Sequence, residues 1–299
     1  MAHLPWLWAV FTIIAAASQT VRNAMQRELT ATLGTVGATH VRFLFGFPFA
    51  LAFLVGVLVF TGLSLPRPGF VFWLWVLAGT VTQVLATALM LAAMGERSFV
   101  VAIAYIKTEP VQVAVFGFLV LGDALTVPMI IAILVATAGV ITMSFKPRGR
   151  AKADALPTLL GLGSGAMFAL AAVTYRGGIL SLEGTPFLMA ATFTLAAGLA
   201  LTASLLSLYL ALRDRAVLVA ILRAWRPSLF AGAMGAFSSE FWFLAFALTT
   251  AASVRTLGLV EVLFAQAIST FAFRQPTSRR EAAGIVLVVI GVVLLIWGR

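Results

Sequence analysis

Four ionisable side chains stand inside long apolar runs of this 299-residue chain: Lys107, Glu109, Glu240 and Glu261. A charged residue at the centre of a membrane helix costs about 3 kcal/mol on insertion scales, so such groups face a bundle interior or water and mark a polar path. Carboxylates held there can meet an amine or carry a proton. Glu109 and Glu261 are also 152 positions apart, and the same offset relates Ala132 to Gly284 and Gly139 to Gly291. Apolar similarity between membrane helices arises easily; a glutamate recurring deep in an apolar run is a far stronger match.

Helical spacing groups further polar residues with these four. Tyr105, Glu109, Gln112 and Phe116 follow an i, i+4, i+7, i+11 stripe, which puts an aromatic ring, an acid and an amide on one helix face. Pro110, next to Glu109, removes a backbone donor and predicts a bend. Elsewhere Gly258, Glu261 and Ala265 share a face, as do Gln19 and Asn23, while Gln83, Tyr175, Ser239 and Trp242 lie in other apolar runs. The substrate-binding candidates are therefore Gln19, Asn23, Gln83, Tyr105, Glu109, Gln112, Tyr175, Ser239, Glu240, Trp242 and Glu261. Lys107 is about 200° around the helix from Glu109, so its partner is expected on another span. Glu240 and Glu261 are the candidates, with Lys107–Glu240 the expected structural ion pair.

The elements that must position these groups follow from composition. Hydrophobic residues make up 62% of the chain and charged residues 10%, a balance no soluble core uses. At roughly 20 apolar residues per crossing, ten spans are predicted: Pro5–Thr20, Val36–Phe60, Phe70–Ala93, Phe99–Leu121 and Val127–Phe145, then Leu156–Tyr175, Pro186–Leu210, Ser228–Leu248, Ala252–Phe273 and Glu281–Trp297. The fold class is thus all-α integral membrane, ten transmembrane helices as two inverted five-helix repeats around a central cavity. Residues 1–145 form the first repeat, 146–155 a cytoplasmic linker and 156–299 the second. Five spans per half make the second half enter from the opposite side.

Fifteen of the twenty basic residues fall on one side of this arrangement, which predicts that side as cytoplasmic and both termini as periplasmic. The first apolar run has no basic residue ahead of it beyond His3, so it reads as a retained helix and not a signal peptide. With Gly284, Gly291 and Gly298 in one small stripe, and Ala132 and Gly139 in another, the fifth and tenth spans are expected to pack tightly as scaffold or dimer contacts. No cysteine, no aspartate within a span, and histidines only at His3 and His40 argue against disulfides, a metal site, aspartyl or serine intramembrane proteolysis, and any catalytic residue. No cofactor is expected. The +10 charge is explained by orientation, not by nucleic acid.

The polar face with Pro110, followed by LGDALTVPMIIAILVATAGVITM, resembles the repeat signature of the drug/metabolite transporter superfamily, in which a short acidic turn precedes a glycine-containing final helix. The resemblance covers the whole chain as two EamA-type repeats and is nearest to ten-span bacterial exporters of amino acids and related metabolites, aromatic amino acid exporters among them. It implies that spans one, three, four, six, eight and nine surround the path. The second repeat departs from the first: Val262 stands where Pro110 would repeat, and Arg274 and Gln275 replace Gly122 and Asp123. The expected function is a secondary transporter in the bacterial inner membrane. It would export amino acids, aromatic or large apolar ones within a broad range, by alternating access. A proton-coupled multidrug exporter of lipophilic cations is the alternative. The expected partners are the small-molecule substrate and the lipid bilayer, and the expected assembly is a monomer or weak homodimer.

Overall fold

The computed structural model describes residues 5–96, 105–144, 155–271, 274 and 277–298. Among them are twelve α-helices and no strand: α1 (Leu7–Leu44), α2 (Phe47–Thr61), α3 (Phe70–Glu96), α4 (Glu109–Leu121), α5 (Val127–Ser144), α6 (Ala155–Leu180), α7 (Phe187–Arg213), α8 (Arg215–Arg223), α9 (Trp225–Leu248), α10 (Ala251–Leu257), α11 (Glu261–Phe271) and α12 (Arg279–Trp297). A 3-10 turn, Gly258–Val260, joins α10 to α11. With no water in a bilayer to satisfy backbone groups, helices are the form such apolar runs take. Large apolar side chains point outward along them, Phe60 at 89% and Val59 at 71% exposure, as lipid-facing surfaces do.

Seven stretches among the described residues are long and apolar enough to cross a membrane, against the ten expected. The differences have local causes. Span one is represented by the shorter apolar stretch Leu7–Arg22, and the polar tail that was expected to end it continues as helix through α1, with one non-helical residue, Gly34. Span four begins outside the described residues, and its apolar helix Glu109–Leu121 follows an irregular turn at Lys107–Thr108. The expected ninth span is broken as well, by the 3-10 turn between α10 and α11. The polar stretch after α7, read from sequence as a loop, contains the amphipathic α8: Ile221 is fully buried against Leu33, Ala38, Val41 and Leu210. The predicted linker lies mostly outside the described residues.

Two compact units are formed, one from residues 1–81 and 174–249, the other from 82–173 and 250–299. Each draws on both halves of the sequence. In the first unit, α1 packs along α9, and α7 packs on α1, α2 and α9. In the second, α5 and α12 pack along each other, and here the small-residue stripes meet. A Cβ at Gly139 would stand 2.7 Å from the Gly284 carbonyl oxygen, and one at Gly291 would stand 2.6 Å from the Ala136 backbone nitrogen. Ala136, Val140, Leu259 and Val288 form the core beside them. Small residues thus permit backbone approach where no hydrophobic force drives helices together.

The acidic turn of the sequence signature closes α4. Gly122 takes φ 68°, the left-handed conformation that favours glycine, and the Asp123 N–H donates to the Gly117 carbonyl at 3.1 Å. At the repeat-equivalent position, 152 residues on, Arg274 has φ 52°. The second half keeps this backbone conformation although it has lost the glycine.

Candidate functional site

In the second unit, Lys107, Glu109, Arg255 and Glu261 are arranged around two irregular helix turns. Thr108 closes a turn on Tyr105, donating from N–H at 3.2 Å and from Oγ1 at 2.6 Å to the Tyr105 carbonyl. Helix α4 then restarts at Glu109, with Pro110 in its first turn, where a missing N–H costs nothing. The bend predicted from Pro110 takes the form of a tightened turn at Lys107–Thr108, with Thr108 still in the right-handed helical region. In the other half no proline is present, and Gly258 opens the 3-10 turn that precedes Glu261. Glu109 and Glu261 each become the first residue of a new helix, where the partial positive charge of the helix N-terminus favours a carboxylate.

The cations reach these acids crosswise. Arg255 Nε stands 3.0 Å from Glu109 Oε1, and the Lys107 ammonium pairs with the Glu261 carboxylate. Each pair thus joins one residue from the first half of the sequence to one from the second. All four side chains are 13–23% exposed, largely desolvated but within reach of water. Of the two partners considered for Lys107, Glu240 and Glu261, the described ion pair is with Glu261. Lys107 and Glu240 belong to different units; Glu261 is within reach of Lys107, and Glu240 is held by another group. Arg255, which is not among the residues selected from the sequence, is a further functional candidate. An arginine six residues before a repeated glutamate was the available signal.

Gln112 lies one turn into α4. Its Nε2 donates to Thr108 Oγ1 at 3.2 Å, while its Oε1 is buried without a hydrogen-bond partner among the described residues. Tyr105 precedes the break, so the continuous stripe from Tyr105 to Gln112 expected from helical spacing is interrupted. Gln83 is buried in α3, and its carbonyl accepts from Thr87.

The first unit carries the third acid. Glu240 is 7% exposed and accepts a short hydrogen bond from Thr192 Oγ1. Its other oxygen, Oε2, is buried with no hydrogen-bond partner among the described residues, and no cation of that set lies within ion-pair distance. Ser239 is buried beside it in sequence. Trp242 Nε1 donates to Gln19 Oε1 at 3.1 Å, and Ser238 Oγ to the Ala15 carbonyl at 3.0 Å, tying α9 to α1. The stems of Arg22 and Arg42 lie against Gly235 of the same α9, within 3.6 Å of where a Cβ would stand; Arg22 is itself buried. Tyr175 packs on Phe243 with ring centroids 5.0 Å apart, and its hydroxyl is 3.4 Å from Thr80 Oγ1. The backbone of Gly79 and of Gly198 faces the ring, and a Cβ at either would come within 2.9 Å of it. Of Asn23 only the helical backbone is described.

Intramembrane charges that begin half-helices are the arrangement by which transporters bind polar solutes, and sequence comparison decides the family. Residues 6–145 match the model of the EamA-like transporter family. This bears out the resemblance to the drug/metabolite transporter superfamily. The EamA-like segment contains Lys107 and Glu109, and their partners Arg255 and Glu261 lie beyond it. No curated protein matches the chain. A solved crystal structure that is 14% identical superposes with a TM-score of 0.72, covering 97% of this chain and 94% of its own; at that identity the likeness concerns the fold alone. The match and the long apolar helices support a multi-pass membrane protein of the drug/metabolite transporter type.

Proposed function

We propose that this protein is a secondary transporter exporting small zwitterionic metabolites, amino acids foremost, from the bacterial cytoplasm by alternating access. Its frame would be ten spans as two inverted repeats, with both termini periplasmic. The observation that carries the substrate reading is Glu240. A carboxylate this buried, with one oxygen unpartnered and no ion pair among the described residues, is a receptor for a substrate ammonium group. Helix α9 also holds the stems of Arg22 and Arg42, and guanidinium groups are suited to a substrate carboxylate. Both ends of an amino acid are matched by groups on or against one helix.

The crossed pairs have a different role. Glu109 and Glu261 are each neutralised by a cation, so they are poor primary sites for a cationic substrate. Because each pair bridges the two sequence halves at a helix break, exchange of partners is a low-cost way to couple substrate binding to movement of one half-helix. Discontinuous helices at repeat-equivalent positions are the usual seat of such coupling.

The test is counterflow of labelled aromatic and aliphatic amino acids in proteoliposomes, with wild type and Glu240→Gln. Saturable counterflow by the wild type, lost in the variant while the purified variant keeps its thermal stability, is the expected result. Carriage of tetraphenylphosphonium with no amino acid counterflow would replace the zwitterion reading by that of a lipophilic-cation exporter.

A further inference from the structure

The short helix α8 takes no part in the site above. It connects two membrane spans, α7 and α9, through single residues, Asp214 and Ala224. A nine-residue helix between two crossings has to lie at a membrane face. Its inner side is apolar, with Ile221 fully buried and Val217, Leu218 and Ala220 packed with it. Its outer side carries a shallow, wide-open groove along Arg215, Ala216, Val219 and Arg223, with Ala220 and Ala224 at its inner edge against the core. Positions 216, 219, 220 and 223 form one i, i+3, i+4, i+7 stripe, so the groove runs along the helix with an arginine at each end, about 12 Å apart along the axis.

The charge here is one-sided. Residues 213–226 contain four arginines, all exposed, and one aspartate. That aspartate, Asp214, is the helix N-cap and accepts from the Val217 N–H at 3.2 Å, so it is committed to the backbone. Arg215 Nε donates to the Ala211 carbonyl at 2.8 Å, which fixes the side chain at the groove mouth. Exposed apolar groups flank the arginines: Val219, Leu222 and Trp225, with the Arg226 guanidinium 5.4 Å from the Trp225 ring centroid. Basic groups with an apolar floor and an aromatic anchor are the marks of a helix lying in the headgroup layer.

We propose that the Arg215–Arg223 groove is a binding site for the phosphodiester headgroup of an anionic phospholipid. The Arg223 guanidinium holds the headgroup phosphate, Arg215 at the other end adds its positive charge to the field, and Ala216 and Val219 receive the start of the acyl chains. The lipid chains distinguish this occupant from a free phosphate, which offers nothing to the apolar floor.

The experiment is native mass spectrometry of the purified full-length protein, titrated with phosphatidylglycerol or phosphatidylcholine of the same acyl chains. The wild type, Arg215→Gln/Arg223→Gln and Arg215→Lys/Arg223→Lys are compared. Each arginine near an anionic headgroup is worth about fivefold in affinity, so the glutamine double variant is expected to bind phosphatidylglycerol roughly 25-fold more weakly. Phosphatidylcholine binding should be unchanged, and the lysine variant should keep its preference for the anionic lipid. Higher salt should weaken the wild-type preference, since these charges are exposed. Equal binding of the two lipids by the wild type would overturn the proposal, as would unaltered phosphatidylglycerol binding in the glutamine variant. Displacement of the lipid by millimolar glycerol 3-phosphate would also overturn it, by assigning the groove to a soluble anion. If the glutamine variant fails to fold, the wild-type lipid preference and its salt dependence still decide the matter.

Discussion

Neutralising Glu109 by Glu109→Gln leaves Arg255 desolvated without its carboxylate, 3.0 Å from an amide in place of a charge. Removing one partner of a buried pair costs about 3–5 kcal/mol. The low end applies, because Arg255 and Glu109 keep 18% and 16% exposure. A loss of about 3 kcal/mol is expected, roughly a 150-fold shift in the folding equilibrium. The reverse change, Arg255→Gln, should cost less, about 1–2 kcal/mol, because a carboxylate left alone can take up a proton whereas a guanidinium cannot release one. The double variant should lie within about 1 kcal/mol of wild type, since a missing pair leaves no stranded charge. The coupling energy is then about 3–5 kcal/mol, at or above the top of the range for residues in contact. Equilibrium unfolding of the four proteins in mixed micelles, followed by far-UV circular dichroism, measures it. Additive losses would refute the pairing. A second cycle on Lys107 and Glu240 should be additive within about 0.5 kcal/mol, and a coupling above 1 kcal/mol there would restore the pairing expected from sequence.

Other changes test the backbone. Arg274→Gly should stabilise the protein by about 1 kcal/mol, because a left-handed residue with a Cβ carries a strain that glycine relieves; a loss of stability in the same unfolding assay would mean that the arginine side chain outweighs that strain. Gly284→Leu or Gly139→Leu should destabilise by about 1–3 kcal/mol through forced separation of α5 and α12, and a neutral result in thermal unfolding would contradict the close approach of these backbones.

The all-helical membrane class was legible in the length and hydropathy of the apolar runs, and Glu109 and Glu261 in their common offset. The glycine and alanine stripes of α5 and α12 were legible too, because small residues at helical spacing have few other uses in apolar helices. What was hidden depends on neighbours. Helical phase showed that Lys107 turns away from Glu109, but phase around one helix does not name the helix opposite, and Glu261 took the place expected for Glu240. Arg255 was marked only by its charge and its place six residues before the repeated Glu261. The break before Glu261 was hidden because a 3-10 turn at Gly258 replaces the proline that signals the break before Glu109. Helix α8 was obscured by its arginines, which in nine residues outweigh the apolar side that Ile221 anchors.

The crossed ion pairs also constrain how the chain can be made. Lys107 and Glu109 enter the membrane during synthesis long before Arg255 and Glu261 exist, with 148 residues separating Lys107 from Arg255. At roughly 5–20 residues per second, translation takes about 7–30 s to supply the missing partners. Throughout that interval the nascent first half holds two charges whose final counter-ions have not been synthesised. It must keep them near water, in the insertion machinery or against one another, so the first half becomes electrically settled only when the second half arrives.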